Sequence, residues 1–295
     1  EDSIQAYESK GASSGDAYMS DGSTIWLKTN VGRAKQDTIG LYDGFDTKSY
    51  GFTAGLDKNI GSSSIIGVSG SYIDTNSLQN SNNSDTNSVG IGFYGSKEFD
   101  LGYIEGQVNY TQHKTNTKRT ANSGDVSAKV KADEIGARLE AGVHIPVDNG
   151  VYITPYAGVE YSKVRQKAYS EKGSKYQNDA LKIDKYSQDR KTAEIGIKAT
   201  SRIELDNALI LPQVSFAVAK DFASSNRDIK AQFVGGGDKF VTPSRKLDDL
   251  TYKAGVGLEA RISNSTKLRF DLDYNRSKDG KFQAYGGNIS FGYSF

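Results

Sequence analysis

Residues 283–295 read QAYGGNISFGYSF. Taken in steps of two, Tyr285, Gly287, Ile289, Phe291, Tyr293 and Phe295 share one side of an extended chain, and Ala284, Gly286, Asn288, Ser290, Gly292 and Ser294 share the other. Side chains of a strand alternate between faces. One face of this segment is therefore aromatic and apolar up to Phe295, and the other is small or polar.

The same period of two recurs upstream. In KLRFDLDYN, Leu268, Phe270, Leu272 and Tyr274 oppose Lys267, Arg269, Asp271 and Asp273. In TYKAGVGLEARI, Tyr252, Val256, Leu258 and Ile262 oppose Lys253, Gly255, Glu259 and Arg261. AEIGIKATSRIEL and DEIGARLEAGVHI follow the rule, as do VYITPYAGVEY, LILPQVSFAV, SVGIGFYG, YIEGQVNY, SSIIGVSGSY, YGFTAGLD and TIWLKTNVG. With residues 283–295 these make about twelve strands. KNIGSS, KEFDLG, PVDNG, ELDNA and ISNST read as tight turns rich in Asn, Asp, Gly and Ser. Longer polar loops are expected at AKQDTIGLYDGFDTKS, DTNSLQNSNNSDTN and KTNTKRTANSGD, from Lys163 to Lys191 and from Asp221 to Asp249. Tight turns thus gather at one end of the meander and long loops at the other, with SKDGK a short loop on the long-loop side.

Period alone also fits a soluble β-sandwich, apolar inward and polar outward. Three features favour a membrane barrel. Many of the periodic runs exceed ten residues, whereas crossing a bilayer at a tilt takes ~9–11. The polar face is dense in Gly, Glu, Arg and Lys, which suits a water-filled lumen. Tyr50, Phe52, Tyr72, Tyr103, Tyr110, Tyr161, Tyr252, Tyr274 and Tyr293 recur near strand ends, as aromatic girdles do. The reading is an all-β, antiparallel, up-and-down transmembrane barrel. Its last strand pairs with its first, because an open edge in hydrocarbon leaves N–H and C=O groups unsatisfied.

Composition agrees. The chain has 295 residues, 32 Gly, 18 Tyr and a net charge of +1. The absence of Cys excludes disulfides and thiolate chemistry. The charge balance argues against a nucleic-acid surface. A mean hydropathy of -0.58 does not argue against a membrane barrel, since lipid-facing and lumenal residues average out along each strand. Residues 1–23 lack the basic start and apolar run of a signal peptide. Either a signal has been removed or the chain is a C-terminal piece of a longer product.

In this barrel Arg138, Glu140, Glu160, Glu194, Lys198, Arg202, Glu259, Arg261, Arg269, Asp271 and Asp273 line the lumen, the acids as partners of the bases. His113 and His144 are expected at opposite ends, which argues against a shared metal site. No catalytic residue, metal or cofactor is assigned. The basic stretch from Lys163 to Lys191 reads as a solvated loop, with contact to lipid phosphates as the functional alternative.

STIWLKTNVGRAKQD, SYGFTAGLDKNIGSSSIIGVSGSYIDTN, ITPYAGVEYSKV and YGGNISFGYSF, in that order and spacing, resemble the translocator β-domain of type V autotransporters. The central AYSEKGSKYQNDALKIDKYSQDRKTAEIGIKA is most similar to the rickettsial-type surface antigens of that family. The resemblance runs from Ser23 to Phe295. It implies a twelve-stranded monomeric barrel, integral to the bacterial outer membrane, that exports and anchors an N-terminal passenger. A passenger-less porin or surface-antigen barrel is the alternative. The family also implies that Ile289, Phe291, Tyr293 and Phe295 form a signal read by the outer-membrane barrel assembly machinery.

Residues 1–22 then join the passenger to the barrel of residues 23–295. Asp2 with Gln5 approximates a capping box, and Lys10-Gly11 is a natural stop. By residues alone this segment reads as a disordered tail. The resemblance makes it a short helix and linker threading the lumen. About eight helical residues plus a dozen extended ones reach roughly 50 Å, beyond the ~25 Å apolar band. Some family members cleave the passenger at an Asn peptide bond inside the barrel; residues 1–22 contain no Asn.

Overall fold

Twelve long strands follow one another around a closed ring. They are β1 (Ser23–Gln36), β2 (Phe45–Ile60), β3 (Ser64–Gln79), β4 (Asn82–Phe99), β5 (Gly102–Ala121) and β6 (Gly124–Val143). They continue as β7 (Val151–Gln166), β8 (Tyr186–Ser201), β9 (Ala208–Asp221), β10 (Leu250–Ile262), β11 (Thr266–Ser277) and β12 (Phe282–Ser294). The structure is a computed structural model describing residues 22–295 except 41–42, 81, 123, 149, 174–178, 223–227, 244–248 and 263–264. The expected helix and linker of residues 1–22 therefore lie, but for Gly22, outside the described residues.

Each strand pairs antiparallel with its sequence neighbour, and β1 pairs with β12 from Thr24↔Ser294 to Gln36↔Phe282. Reciprocal bonds between the backbones of Ser23 and Phe295, 3.1 and 3.0 Å, complete the seam. Every interior strand is thus paired on both sides, the condition hydrocarbon imposes.

Outward positions carry Ile25, Leu27, Val31, Phe52, Leu56, Val89, Ile91, Phe93, Leu139, Ile195, Phe216 and Phe270, all exposed. Such a continuous apolar exterior has lipid as its solvent. Tyr285, Ile289, Phe291, Tyr293 and Phe295 are on this surface, with Phe295 67% exposed. Tyr50, Phe52, Tyr72, Tyr110, Tyr161 and Tyr252 face outward as expected. Tyr103 does not. It is 3% exposed and turned into the lumen, where its hydroxyl donates to Glu140 at 2.6 Å. The parity of YIEGQVNY sets it with Glu105 and Gln107, opposite Ile104, Val108 and Tyr110.

Two expected loops are strand. β3 and β4 run to Gln79 and from Asn82, and β5 and β6 run to Ala121 and from Gly124. At 20 residues each, β5 and β6 far exceed what a bilayer requires. Beyond the membrane both faces of a strand meet water, so the apolar alternation that marks a spanning strand disappears. Pairing persists through polar cross-strand contacts such as Thr86–Thr115 at 2.8 Å, Thr47–Ser77 at 3.0 Å and Asn76–Asp85 at 2.6 Å.

The remaining long connections, 167–185 and 222–249, build a second sheet at the same end. Its strands are Tyr169–Ser170, Leu181–Ile183, Asp228–Phe233 and Phe240–Pro243. Lys172–Gly173 pairs with the free upper edge of β6 at Val126–Ser127. Glu171 reaches over to Arg119 of β5 at 2.6 Å. Val126, Ala128 and Val130 sit on the inner face of β6 above the lumen and are buried, as are Ala180, Ile183 and Ala231 of the loops. A small apolar core therefore anchors this sheet on the inward side of the barrel mouth.

Candidate functional site

The lumen is the candidate site, and its walls differ. On β1–β4 and β12 the inward positions are mostly Gly, Ser, Thr and Asn: Gly32, Gly51, Gly67, Ser69, Ser71, Gly90, Gly92, Gly286, Asn288 and Ser290. On β5–β8, β10 and β11 they carry most of the lumenal charge, while β9 contributes Gln213 and Ser215. A cavity of about 500 Å³ lies along the charged wall, lined by Glu105, Arg138, Glu194, Lys198 and Asp271 among others, and meets the small-residue wall at Asn288.

Two charge clusters hold most of the expected lumenal residues. In the first, Lys198 of β8 spans β7 to reach Glu140 of β6 at 2.7 Å and the Tyr103 hydroxyl at 2.9 Å. Arg138 meets Glu140 at 2.7 Å, Glu194 at 3.5 Å and Glu160 at 3.6 Å. Lys253 of β10 reaches Glu194 at 2.5 Å, and the Tyr156 hydroxyl donates to Glu194 at 2.9 Å. Three carboxylates thus face three cations. In the second cluster Glu259, 2% exposed, is held by Arg261 at 2.7 Å, Arg269 at 3.3 Å and Lys267 at 3.6 Å. Arg269 also binds Asp271 at 2.8 Å. Buried carboxylates require such compensation, because an unpaired charge away from water costs several kcal/mol.

Arg202 and Asp273 join neither cluster. Arg202 sits at the tight-turn end, where its amide bonds Gly150 at 2.8 Å and its guanidinium meets Glu204 at 2.6 Å. The sequence read through it as strand; the structure interrupts the strand there, between Ser201 and Ile203. Asp273 lines the cavity beside Gly286. Tyr103, Tyr156, Lys253 and Lys267 were not singled out from the sequence as members of these clusters. Parity assigns each to the inner face, and that was the available signal.

Aromatic rings lie flat against the inner wall where neighbouring strands carry glycine. A Cβ at Gly55 would collide with the Trp26 ring, and one at Gly67 with the Tyr94 ring. The same holds for Gly142 under Tyr103 and Gly196 under Tyr156. Trp26 donates from its indole N–H to the Tyr94 hydroxyl at 2.6 Å, and Tyr94 donates to Asp57 at 2.9 Å, tying β1, β4 and β2 together across the inside.

Both histidines are inward and at opposite ends. His144 stacks on Tyr103 with ring centroids 5.5 Å apart and lies 3.1 Å from Thr154 Oγ1. His113 lies 2.8 Å from Ser88 Oγ and 3.0 Å from Glu134 Oε2. A serine, a histidine and an acid in line invite a hydrolase reading. Ser88 is on β4, paired on both edges, so the amides beside it are committed to ladder bonds and offer no oxyanion hole. Among the described residues no group of His, Cys, Asp and Glu could hold a metal ion.

The Autotransporter beta-domain family matches residues 25–273. Outer membrane protein A of Rickettsia conorii is 24% identical over 309 aligned residues, covering 100% of this chain and 15% of that protein. The chain therefore spans well under a fifth of that relative's length. Among solved structures, the translocator domain of autotransporter NalP from Neisseria meningitidis superimposes with a TM-score of 0.76 at 18% identity, covering 94% of this chain and 90% of that one. The β domain of the Bordetella autotransporter BrkA gives 0.74 at 16% identity, covering 93% and 100%. At those identities the structural likeness shows the fold, and the family match supplies the lineage. The chain belongs to the autotransporter β-domain family and is an integral β-barrel of the bacterial outer membrane.

Proposed function

We propose that this barrel exports and then anchors a passenger joined to it through residues 1–22. The single observation that carries the reading is the family match over residues 25–273. The closed, polar-lined ring agrees with it. The domain division is 1–22 as the joining segment and 23–295 as the barrel. The long-loop end faces outside, since outer-membrane barrels have short periplasmic turns and longer extracellular loops. The lumenal clusters then act as a structural brace on β5–β11, leaving the small-residue wall free for a transiting chain. The first cluster balances three carboxylates against three cations, and the second sets Arg261, Lys267 and Arg269 around Glu259 and Asp271; both read as bracing, and the domain as a conduit rather than an enzyme. Ile289, Phe291, Tyr293 and Phe295 serve as the segment that the assembly machinery reads. The barrel works as a monomer surrounded by outer-membrane lipid. A porin without passenger is the weaker reading, because the rickettsial relative is far longer than the part matched here.

The test is a secreted fusion with a signal peptide, an epitope-tagged passenger and residues 1–295. The tag should be labelled by antibody on intact cells. A tag that stays periplasmic while the barrel reaches the outer membrane would sink the export reading.

A further inference from the structure

A second charged surface lies on the outside of the barrel, and the lumenal network has no share in it. Above the lipid-facing residues of β5–β8, outward parity passes from apolar to basic. On β5, Val108 and Tyr110 are followed by Lys114 and Lys118; on β6, Leu139 and Ile135 give way to Lys131 and Lys129. On β7, Val159 and Tyr161 lead to Lys163 and Arg165, and on β8 Ile195 leads to Lys191. The register sets these in one patch: Lys114 opposite Lys131, Asn116 opposite Lys129, Asp133 opposite Arg165 and Tyr161 opposite Lys191. Lys167 adjoins it, its amide bonding the Lys131 carbonyl at 2.9 Å.

The acids of this sector are already engaged. Asp189 binds Lys163 at 3.2 Å, Asp125 binds Lys118 at 2.8 Å, and Asp133 lies 3.6 Å from Lys167. Lys114, Lys129, Lys131, Arg165 and Lys191 have no acidic partner among the described residues. Lys114 and Lys131 are moreover a directly opposed like-charge pair, an arrangement that destabilises a ladder and whose repulsion a neighbouring anion would screen. At the same height on β2–β4 the outward residues are Lys48, Asp74, Asn76, Asp85 and Asn87, so this basic surface does not continue across those strands.

Height selects the occupant. Lys163 is two residues beyond Tyr161; Arg165 and Lys114 are four beyond Tyr161 and Tyr110. At ~3.4 Å per residue and a tilt of ~40° these, and Lys131 opposite Lys114, stand about 5–10 Å above the aromatic row, which is the depth of the headgroup layer; Lys129, opposite Asn116, stands about 15 Å above it, where its long side chain can reach back toward that layer. Side chains that point outward from the wall at that depth face lipid headgroups.

We propose that the outward face of β5–β8 binds the phosphates of an anionic, phosphorylated lipid of the outer leaflet, with Lys114, Lys129, Lys131 and Arg165 as its principal contacts. The proposal rests on the long-loop end facing outside, and it is independent of passenger export. Each cation near a membrane surface contributes about fivefold to retention of an anionic lipid.

The test uses the full chain in nanodiscs containing bisphosphorylated lipid A or its dephosphorylated analogue, with bound lipid counted by native mass spectrometry. The native chain should retain the bisphosphorylated form in preference. The variant Lys114→Gln/Lys129→Gln/Lys131→Gln/Arg165→Gln should lose that preference by at least about tenfold. Lys35→Gln/Lys48→Gln/Lys220→Gln/Lys278→Gln, which removes the same charge elsewhere, should keep it. Heat-modifiable electrophoretic mobility reports folding. If the fourfold variant does not fold, Lys129→Gln and Arg165→Gln singly should each lower the preference. Equal retention by native and variant chains, or equal retention of both lipids, overturns the proposal. So does loss of heparin binding in solution with lipid retention unchanged, which would make the patch a site for an extracellular polyanion.

Discussion

Glu259 is the residue at which burial and charge meet most sharply. It is 2% exposed and surrounded by Arg261, Lys267 and Arg269. Glu259→Gln leaves those cations facing one another at the barrel wall, and removing one partner of a buried set costs about 3–5 kcal/mol. Glu204→Gln removes the partner of Arg202 at a position 68% exposed, where a pair contributes about 0–1 kcal/mol. Denaturant unfolding from bilayers should rank the two in that order; a Glu259→Gln barrel as stable as the native one would refute the brace. Phe295 separates stability from biogenesis. Its backbone closes the seam with Ser23, while its ring is 67% exposed. Phe295→Ala keeps the backbone bonds, so the finished barrel should lose on the order of 1 kcal/mol or less. As part of the proposed assembly signal, the same change should cut outer-membrane levels in cells while refolding into detergent proceeds. Comparable losses in both assays would make the ring structural.

At the scale of the strand, the period of two carries the assignment and can be tested on adjacent residues. Leu272 is exposed on the outer face, and Asp273 lines the lumenal cavity. Leu272→Arg near the midplane should cost roughly 2–4 kcal/mol. Asp273→Arg, solvated by the lumen, should cost nearer 0–1 kcal/mol. Spin labels at Leu272→Cys and Asp273→Cys should be quenched by dissolved oxygen and by a water-soluble nickel reagent respectively; the inverse pattern would contradict the register. Strand packing adds a second test. A Cβ at Gly67 would collide with the Tyr94 ring, so Gly67→Val forces that ring off the wall and breaks its bonds to Trp26 and Asp57. Overpacking of this kind costs about 1–3 kcal/mol. Tyr94→Ala in the same chain should recover part of the loss, and strict additivity of the two changes would argue against the contact.

Across the whole molecule, the cavity of about 500 Å³ lies along β5–β11 and meets the small-residue wall at Asn288 of β12. Residues 1–22 are polar, with Gly and Ser following the expected helix stop, and they precede the first strand. As the proposed occupant of the lumen they should restrict ion flow. Deleting them should raise single-channel conductance in planar bilayers, and unchanged conductance would remove them from the pore.

The number of strands, their inner and outer faces and the closure of the ring are legible in stretches such as KLRFDLDYN and QAYGGNISFGYSF. Lipid enforces a strict alternation, and hydrocarbon forbids an unpaired edge, so a local pattern suffices to read both. The same pattern assigned Arg138, Glu140, Glu194, Lys198, Glu259 and Arg269 to the inner face. Where lipid stops, the rule stops. DTNSLQNSNNSDTN and KTNTKRTANSGD read as loops because both faces of a strand in water are polar, yet their cross-strand Thr, Ser and Asn contacts keep them paired. Which lumenal charges meet is set by the closed ring and cannot be read from any one strand. Lys198 finds Glu140 across β7, Lys253 finds Glu194 across β9, and Trp26 finds Tyr94 past β2 and β3. Those partnerships depend on the curvature and register of the closed ring, which bring together side chains from strands that are not neighbours.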